Sequence, residues 1–238
     1  MPLYYGFDMT YLVLVLPCLI LSLWASSNVN RTFKKYASQQ SVRRITGADA
    51  ARRVLLANGI TDVQIQRVSG NLTDHYDPKT NVIRLSDSVH DATSTAAIGV
   101  ACHEAGHAVQ YAQNYAPIKL RAAIVPITNI GSKLAMPLIL LGLVLTFLES
   151  FSYTLVYVGI ACFGLSVVFQ LVTLPVEFNA SRRAMAAIED SNILTDEEQV
   201  GARKTLTAAA LTYVAATAVA IAQLLRLLML FGRRRSRD

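Results

Sequence analysis

The chain has 238 residues, is 53% hydrophobic and carries a net charge of +6, with positive mean hydropathy. It is more apolar than an ordinary soluble domain, which points to a membrane protein. The charge is not a nucleic-acid signature, because the basic residues gather beside apolar segments: Arg31, Lys34, Lys35, Arg43 and Arg44 after the first, and Arg233, Arg234, Arg235 and Arg237 after the last. Membrane topology and contact with anionic lipid account for that placement.

The first apolar segment, Met9 to Ala25, has no basic residue before it and no small-x-small cleavage site after it. It reads as a retained transmembrane anchor over residues 1–25 rather than a signal peptide. Residues 26–120 have the texture of a small soluble domain. "TGADAARRVLLANG" places Thr46 before a periodic run of Ala48, Ala51, Val54 and Leu55 and stops at Asn58-Gly59, the signals of a capped helix. "VQIQRVS" alternates like a strand, "DPKTN" is a turn and "NVIRLS" is a second strand. A long helix from about Ala92 to Asn114 follows, so the predicted unit is α+β rather than a bundle.

Residues 121–176 hold two predicted spans: Leu134 to Leu148, which Ile124 to Ile130 can extend, and Tyr153 to Val176. In 177–205 a helix is expected to start at Glu177, with Ala180, Ala184 and Ile188 at helical spacing, before "DSN" breaks it and "TDEE" starts another. Small residues at 180, 184, 186 and 187 would let this helix approach a neighbour closely. Residues 206–238 comprise the apolar run Leu206 to Phe231, with Arg226 inside it, and the basic tail. The run can span, lie in the interface or pack on other helices. Placing Arg31 to Arg44 and Arg182–Arg183 in the cytoplasm puts the N-terminus outside; keeping "RRRSRD" inside too requires that the last segment not fully cross. Cys18, Cys102 and Cys162 sit in apolar helices and offer no disulfide framework.

The long helix of the soluble part contains "ACHEAGHAVQ", a His-Glu-x-x-His pattern formed by His103, Glu104 and His107. At about 100° per residue the two histidines project about 40° apart on one face, so they can share one zinc ion, with Glu104 beside them within reach of a water at the metal. A merely solvated helix would not surround these groups with Ile98, Val100, Ala101, Ala105, Ala108 and Val109. Zinc needs a third protein ligand. Glu177, His75 and His90 are the candidates by residue type.

"HEAGHAVQ" followed by "LPVEFNASRRA" resembles the HtpX-like and related gluzincin metalloproteases. Together with "NLTDHYDPKTNVIRLS" and "LTAAALTYVAA", the pattern is similar to the YugP-type membrane zinc metallopeptidases, from about Thr46 to Ala216. The resemblance implies a zincin-like fold with three to four membrane helices and one zinc ion bound by His103, His107 and Glu177, with Glu104 as general base. In the wider gluzincin pattern an Asp often lies four residues after the ligand Glu; here that place is Ser181. The implied activity is a membrane-bound endopeptidase that hydrolyses peptide bonds with metal-activated water. Its active site would lie beside the membrane on the cytoplasmic side, its substrates would be proteins or peptides, with membrane proteins among them, and it would contact lipid but no nucleic acid. Tyr213, Tyr76 and His75 are candidates for an oxyanion donor, and the "NVIRLS" strand for aligning a peptide by strand addition. The rival readings are an intramembrane protease, disfavoured by the polar flanks of the motif helix, and a non-catalytic zinc-binding membrane scaffold.

Overall fold

The computed structural model describes residues 8–232; Arg233, Arg234, Arg235 and Arg237 lie outside them. The protein is mostly helical with one small sheet. It divides into two compact units, and both are discontinuous in sequence. The described part of the apolar unit comprises residues 8–24, Arg121–Val172 and 213–232; the second unit comprises Ala25–Leu120 and Thr173–Thr212. Among the described residues, four helices are long and apolar enough to cross a membrane.

In the apolar unit a π-helical turn, Tyr11–Val15, leads into α1, Leu16–Ala37. Helix α4 covers Ala116–Val144, α5 Glu149–Asp190 and α6 Asp196–Gly232. Glu177 does not begin a helix as its local pattern suggests: α5 is continuous for 42 residues and carries Pro175 inside it. A proline interrupts one helical hydrogen bond but does not by itself end the helix. Helix α6 is a single 37-residue helix, and near its end Arg226 Nε donates to Asp8 Oδ2 at 2.7 Å. Its guanidinium also lies 5.2 Å from the centre of the Tyr11 ring. The start of the first helix and the end of the last therefore meet at one end of the bundle.

The second unit is built on α2, Gly47–Ala57, and α3, Thr95–Ala112. Thr46 caps α2 by accepting the Asp49 N–H and donating its hydroxyl to the Asp49 carboxylate, which satisfies an otherwise orphaned helix donor. The helix buries Ala50, Ala51, Val54 and Leu55 and stops at Gly59, which is left-handed at φ 70°. Ser94 caps α3 in the same way, accepting the Ala97 N–H. Helix α3 buries 14 of its 18 residues, so its polar groups face protein rather than water.

The sheet has three strands in the order β1-β3-β2. Strand β1, Gln64–Val68, runs parallel to β3, Val82–Ser86, and β2, His75–Asp77, pairs antiparallel on the other side of β3. The sequence reading placed β1 and β3 but not β2. Two side chains build β2. Asp74 accepts hydrogen bonds from the Ser86 N–H and hydroxyl, and Asp77 accepts from the Lys79 N–H, the Thr80 hydroxyl and Arg84. These tie a three-residue strand to β3 where hydrophobic alternation is too short to register. One consequence overturns a sequence expectation: β3 is paired on both sides, so "NVIRLS" has no free edge on which to add a peptide strand.

Helices α3 and α5 approach very closely where α5 enters this unit. A Cβ on Gly106 would stand 2.8 Å from the Ala180 carbonyl oxygen and 3.4 Å from its Cα. Ala180 and Ala184 are fully buried. Of the four small residues expected to allow this approach, Ala180 and Ala184 form the contact, whereas Ala186 is exposed and Ala187 half-buried. Gly106→Ala should therefore force two backbones apart and cost about 1–3 kcal/mol. A lowered melting temperature together with weaker zinc retention checks this; a variant as stable as the parent would show that the contact has slack.

Candidate metal centre

Helix α3 presents His103, Glu104 and His107, and α5 presents Glu177 two residues after Pro175. The Glu177 carboxylate Oε2 lies 3.2 Å from His103 Nε2 and 3.5 Å from His107 Nε2. The imidazole rings stand edge to face with centroids 4.8 Å apart. Ligands about 2.0–2.1 Å from a tetrahedral zinc ion are separated by about 3.3 Å, so Glu177 stands at ligand spacing from both imidazole nitrogens, and all three donors lie within 4.8 Å of one another. Burial makes the same point. Glu177 is 2% exposed, and three interacting polar groups so deep in an alanine-rich core require a counter-charge or a metal. The donor set, two imidazole nitrogens and a carboxylate oxygen, is one zinc accepts.

Each histidine is oriented by a second contact. His103 Nδ1 lies 3.1 Å from Ser181 Oγ, so the position where gluzincins often carry Asp is filled here by a hydroxyl that reaches the ring. His107 Nδ1 lies 3.0 Å from Gln110 Oε1. Gln110 is fully buried, and its Nε2 donates to the Val176 carbonyl at 2.8 Å and to Asn179 Oδ1 at 2.9 Å. Asn179 Oδ1 is held as an acceptor by Arg183 Nε at 2.7 Å. The amide of Gln110 is thus fixed with its oxygen toward the ring. His107 then carries a proton on Nδ1, which leaves Nε2, on the Glu177 side, as the nitrogen a metal would take.

Burial works against the charged form of His107, but its hydrogen bond to Glu177 and the charges of Glu104 and Glu177 outweigh this and hold its pKa above the ordinary histidine value. A metal must displace that proton. Burial pushes the thiol of Cys102 up to about 12, so the residue next to the first ligand stays protonated and acts in packing.

Glu104 is 9% exposed, and its Oε2 accepts the backbone N–H of Tyr76 at 3.0 Å. This contact joins strand β2 to the motif helix. Among the described residues no hydrogen bond engages Glu104 Oε1. The Tyr76 hydroxyl, an expected oxyanion donor, is instead given to Asn81 Oδ1 at 2.8 Å, and the ring packs on Tyr111 with centroids 5.7 Å apart. His75, the neighbouring strand residue, is exposed, with Nδ1 2.9 Å from the Thr73 carbonyl, and does not belong to the three-donor cluster. His90 pairs with Asp91 at 2.7 Å. Tyr213 belongs to the other compact unit, on α6.

Sequence reasoning missed Gln110, Asn179 and Asp74. Gln110 had a detectable signal, since it lies three residues after His107, where a helix places a neighbour, and is polar in an apolar run. Asp74 had none, because its role depends on the pairing of β2 with β3. Burial raises its pKa, and the charge of nearby Glu104 adds to the effect.

A family described as "Putative neutral zinc metallopeptidase" matches residues 11–232. The chain belongs to this family, whose cofactor is zinc. It is also 44% identical, over 223 residues that are 94% of this chain and 97% of the relative, to the "Putative membrane protease YugP" of Bacillus subtilis (strain 168). No solved structure matches it. The family and the four long apolar helices make it a membrane-associated protein.

Removing a ligand should cost far more metal than removing a group that orients one. Glu177→Ala is expected to lose zinc on dialysis against a weak chelator. Gln110→Met keeps the bulk but removes the amide, and should weaken affinity about 10–100-fold, as should Ser181→Ala at the lower end of that range. Zinc retained by Glu177→Ala but lost from His75→Ala would move the third ligand to β2.

Proposed function

We propose that this protein is a membrane-bound zinc endopeptidase of zincin-like fold, built on a gluzincin His-Glu-x-x-His helix. The observation that carries the reading is the joint placement of His103, His107 and Glu177 with a Glu104 carboxylate that is held at one oxygen and open at the other. Zinc bound by these three residues supplies the Lewis acidity that activates water and polarises a peptide carbonyl.

The chain's own groups perform the remaining tasks. The Tyr76 N–H fixes Glu104 Oε2 and leaves Oε1 to take a proton from the attacking water, and the same carboxyl then delivers the proton to the leaving amine. Gln110 and Ser181 keep the two imidazoles aimed. Peptide alignment passes from β3 to β2, the one of the two edge strands that is joined to Glu104, through Tyr76. The substrates are proteins or peptides, in keeping with the name of the Bacillus relative, a putative membrane protease, and membrane proteins are among them because the enzyme carries long apolar helices of its own. A purely structural zinc site would use four protein ligands and have no need of a carboxylate held open beside the metal.

With four crossings and the basic segments Arg31 to Arg44 and Arg182–Arg183 in the cytoplasm, the motif unit faces the cytoplasm and both termini lie outside. A reporter at Asn71 should be cytoplasmic, and an external signal there would reverse the orientation.

Glu104→Gln should bind stoichiometric zinc and lose peptide hydrolysis by about 100-fold or more, because it keeps the shape and the Tyr76 contact but removes the base. Substrate trapped by this variant in native membranes, with zinc measured on the same preparation, checks both halves. Cleavage at the unaltered rate would remove Glu104 from the mechanism.

A further inference from the structure

Away from the metal centre, Arg43 and Arg44 share one concavity of about 350 Å³ with Arg52 and Arg53 of α2, and Asp49 and Leu56 also line it. Four arginines and one aspartate thus line it, and the Asp49 carboxylate already accepts the Thr46 hydroxyl. Three other arginines of this unit are engaged: Arg67 with Asp87 and Asp91, Arg84 with Asp77, and Arg183 with Asn179 and Gln113. Among the described residues, no side-chain hydrogen bond or ion pair engages any of the four in the concavity.

The backbone that carries them is fixed. Ser41 N–H donates to the Thr93 carbonyl at 2.8 Å and Arg44 N–H to the Ser41 carbonyl at 3.0 Å. Val42 N–H donates to Glu198 Oε1 at 2.6 Å, and Glu198 is 5% exposed and also accepts the Thr195 N–H. Ile45, just after the turn, is buried. Arg44 sits in the left-handed region at φ 51°, where Gly or Asn is the usual occupant. The turn therefore holds Arg43 and Arg44 against the exposed face of α2 near its N-terminus, where the helix dipole also favours an anion.

We propose that this concavity binds a doubly phosphorylated group. Guanidinium forks pair bidentately with phosphate oxygens, and the four arginines less Asp49 leave a net charge of +3, more than the roughly −1.5 to −2 that one phosphate carries. Clustering unpaired like charges is unfavourable in the free protein, and an anion of this kind relieves it. Such a group reaches the site either on a membrane lipid or as a soluble diphosphate.

The test uses the full-length protein in phosphatidylcholine nanodiscs with inorganic pyrophosphate as probe, measured by calorimetry, and in parallel the retention of cardiolipin by native mass spectrometry. The variants are Arg43→Gln/Arg52→Gln and, as a control for diffuse charge, Lys34→Gln/Lys35→Gln on the neighbouring end of α1. Binding of either probe that falls about tenfold or more in the arginine variant but not in the lysine variant supports the site, since each charged pair contributes about that much. Loss on the pyrophosphate arm identifies a soluble source, and loss confined to cardiolipin a lipid one. Neither probe binding, or an equal fall in both variants, overturns the proposal. Unchanged melting temperature and zinc content in the arginine variant separate the result from misfolding.

Discussion

Gly106 lies against the backbone of Ala180, and that contact sets the distance between the helix carrying His103 and His107 and the helix carrying Glu177. A side chain at Gly106 would widen the gap and pull the carboxylate away from the imidazoles. The surrounding alanines follow from the same requirement: Ala96, Ala97, Ala101, Ala105, Ala108, Ala184 and Ala202 are all buried in one core. A core of small residues buries little apolar area per position, so packing this close is also the main route by which it gains contact energy. The metal-ligand geometry and the stability of the unit thus draw on the same closeness.

That closeness governs the polar groups as well. Gln110 spans the interface, with its oxygen toward His107 on α3 and its nitrogen toward Val176 and Asn179 on α5. It aims one ligand while tying down the turn that holds another. The partners of the two imidazoles, Gln110 and Ser181, are both uncharged, so the anionic character of the site comes from Glu104 and Glu177 alone. Imidazoles without a carboxylate behind them are weaker donors and leave more positive charge on a bound metal.

Periodicity and motif chemistry made much of this legible in the sequence. Helix α2 showed its caps and apolar face, α3 its place in the chain, β1 and β3 their alternation, and the four long helices their apolar runs though not their full extent. His103, Glu104 and His107 could be read as one face because a helix fixes their relation. Glu177 could not be placed by spacing, since 70 residues separate it from the motif helix's last ligand; family resemblance supplied it, and the structure brings it within reach of both imidazoles. What stayed hidden depends on contacts between distant segments. Strand β2 is too short to alternate and exists because Asp74 and Asp77 anchor it. The Tyr76 N–H on Glu104 is a backbone contact that no residue type announces. Helix α5 runs through Pro175, where local rules suggest a boundary, because membrane-length helices tolerate an interior proline.

The central claim is that two histidines of α3 and one glutamate of α5 hold zinc in a water-accessible site. Zinc K-edge X-ray absorption on the purified, zinc-loaded protein tests it most directly. The account predicts a shell of nitrogen and oxygen donors at about 2.0–2.1 Å, with outer-shell scattering from two imidazoles and no sulfur. A sulfur shell at about 2.3 Å, or scattering from a single imidazole, would place the metal elsewhere and contradict it.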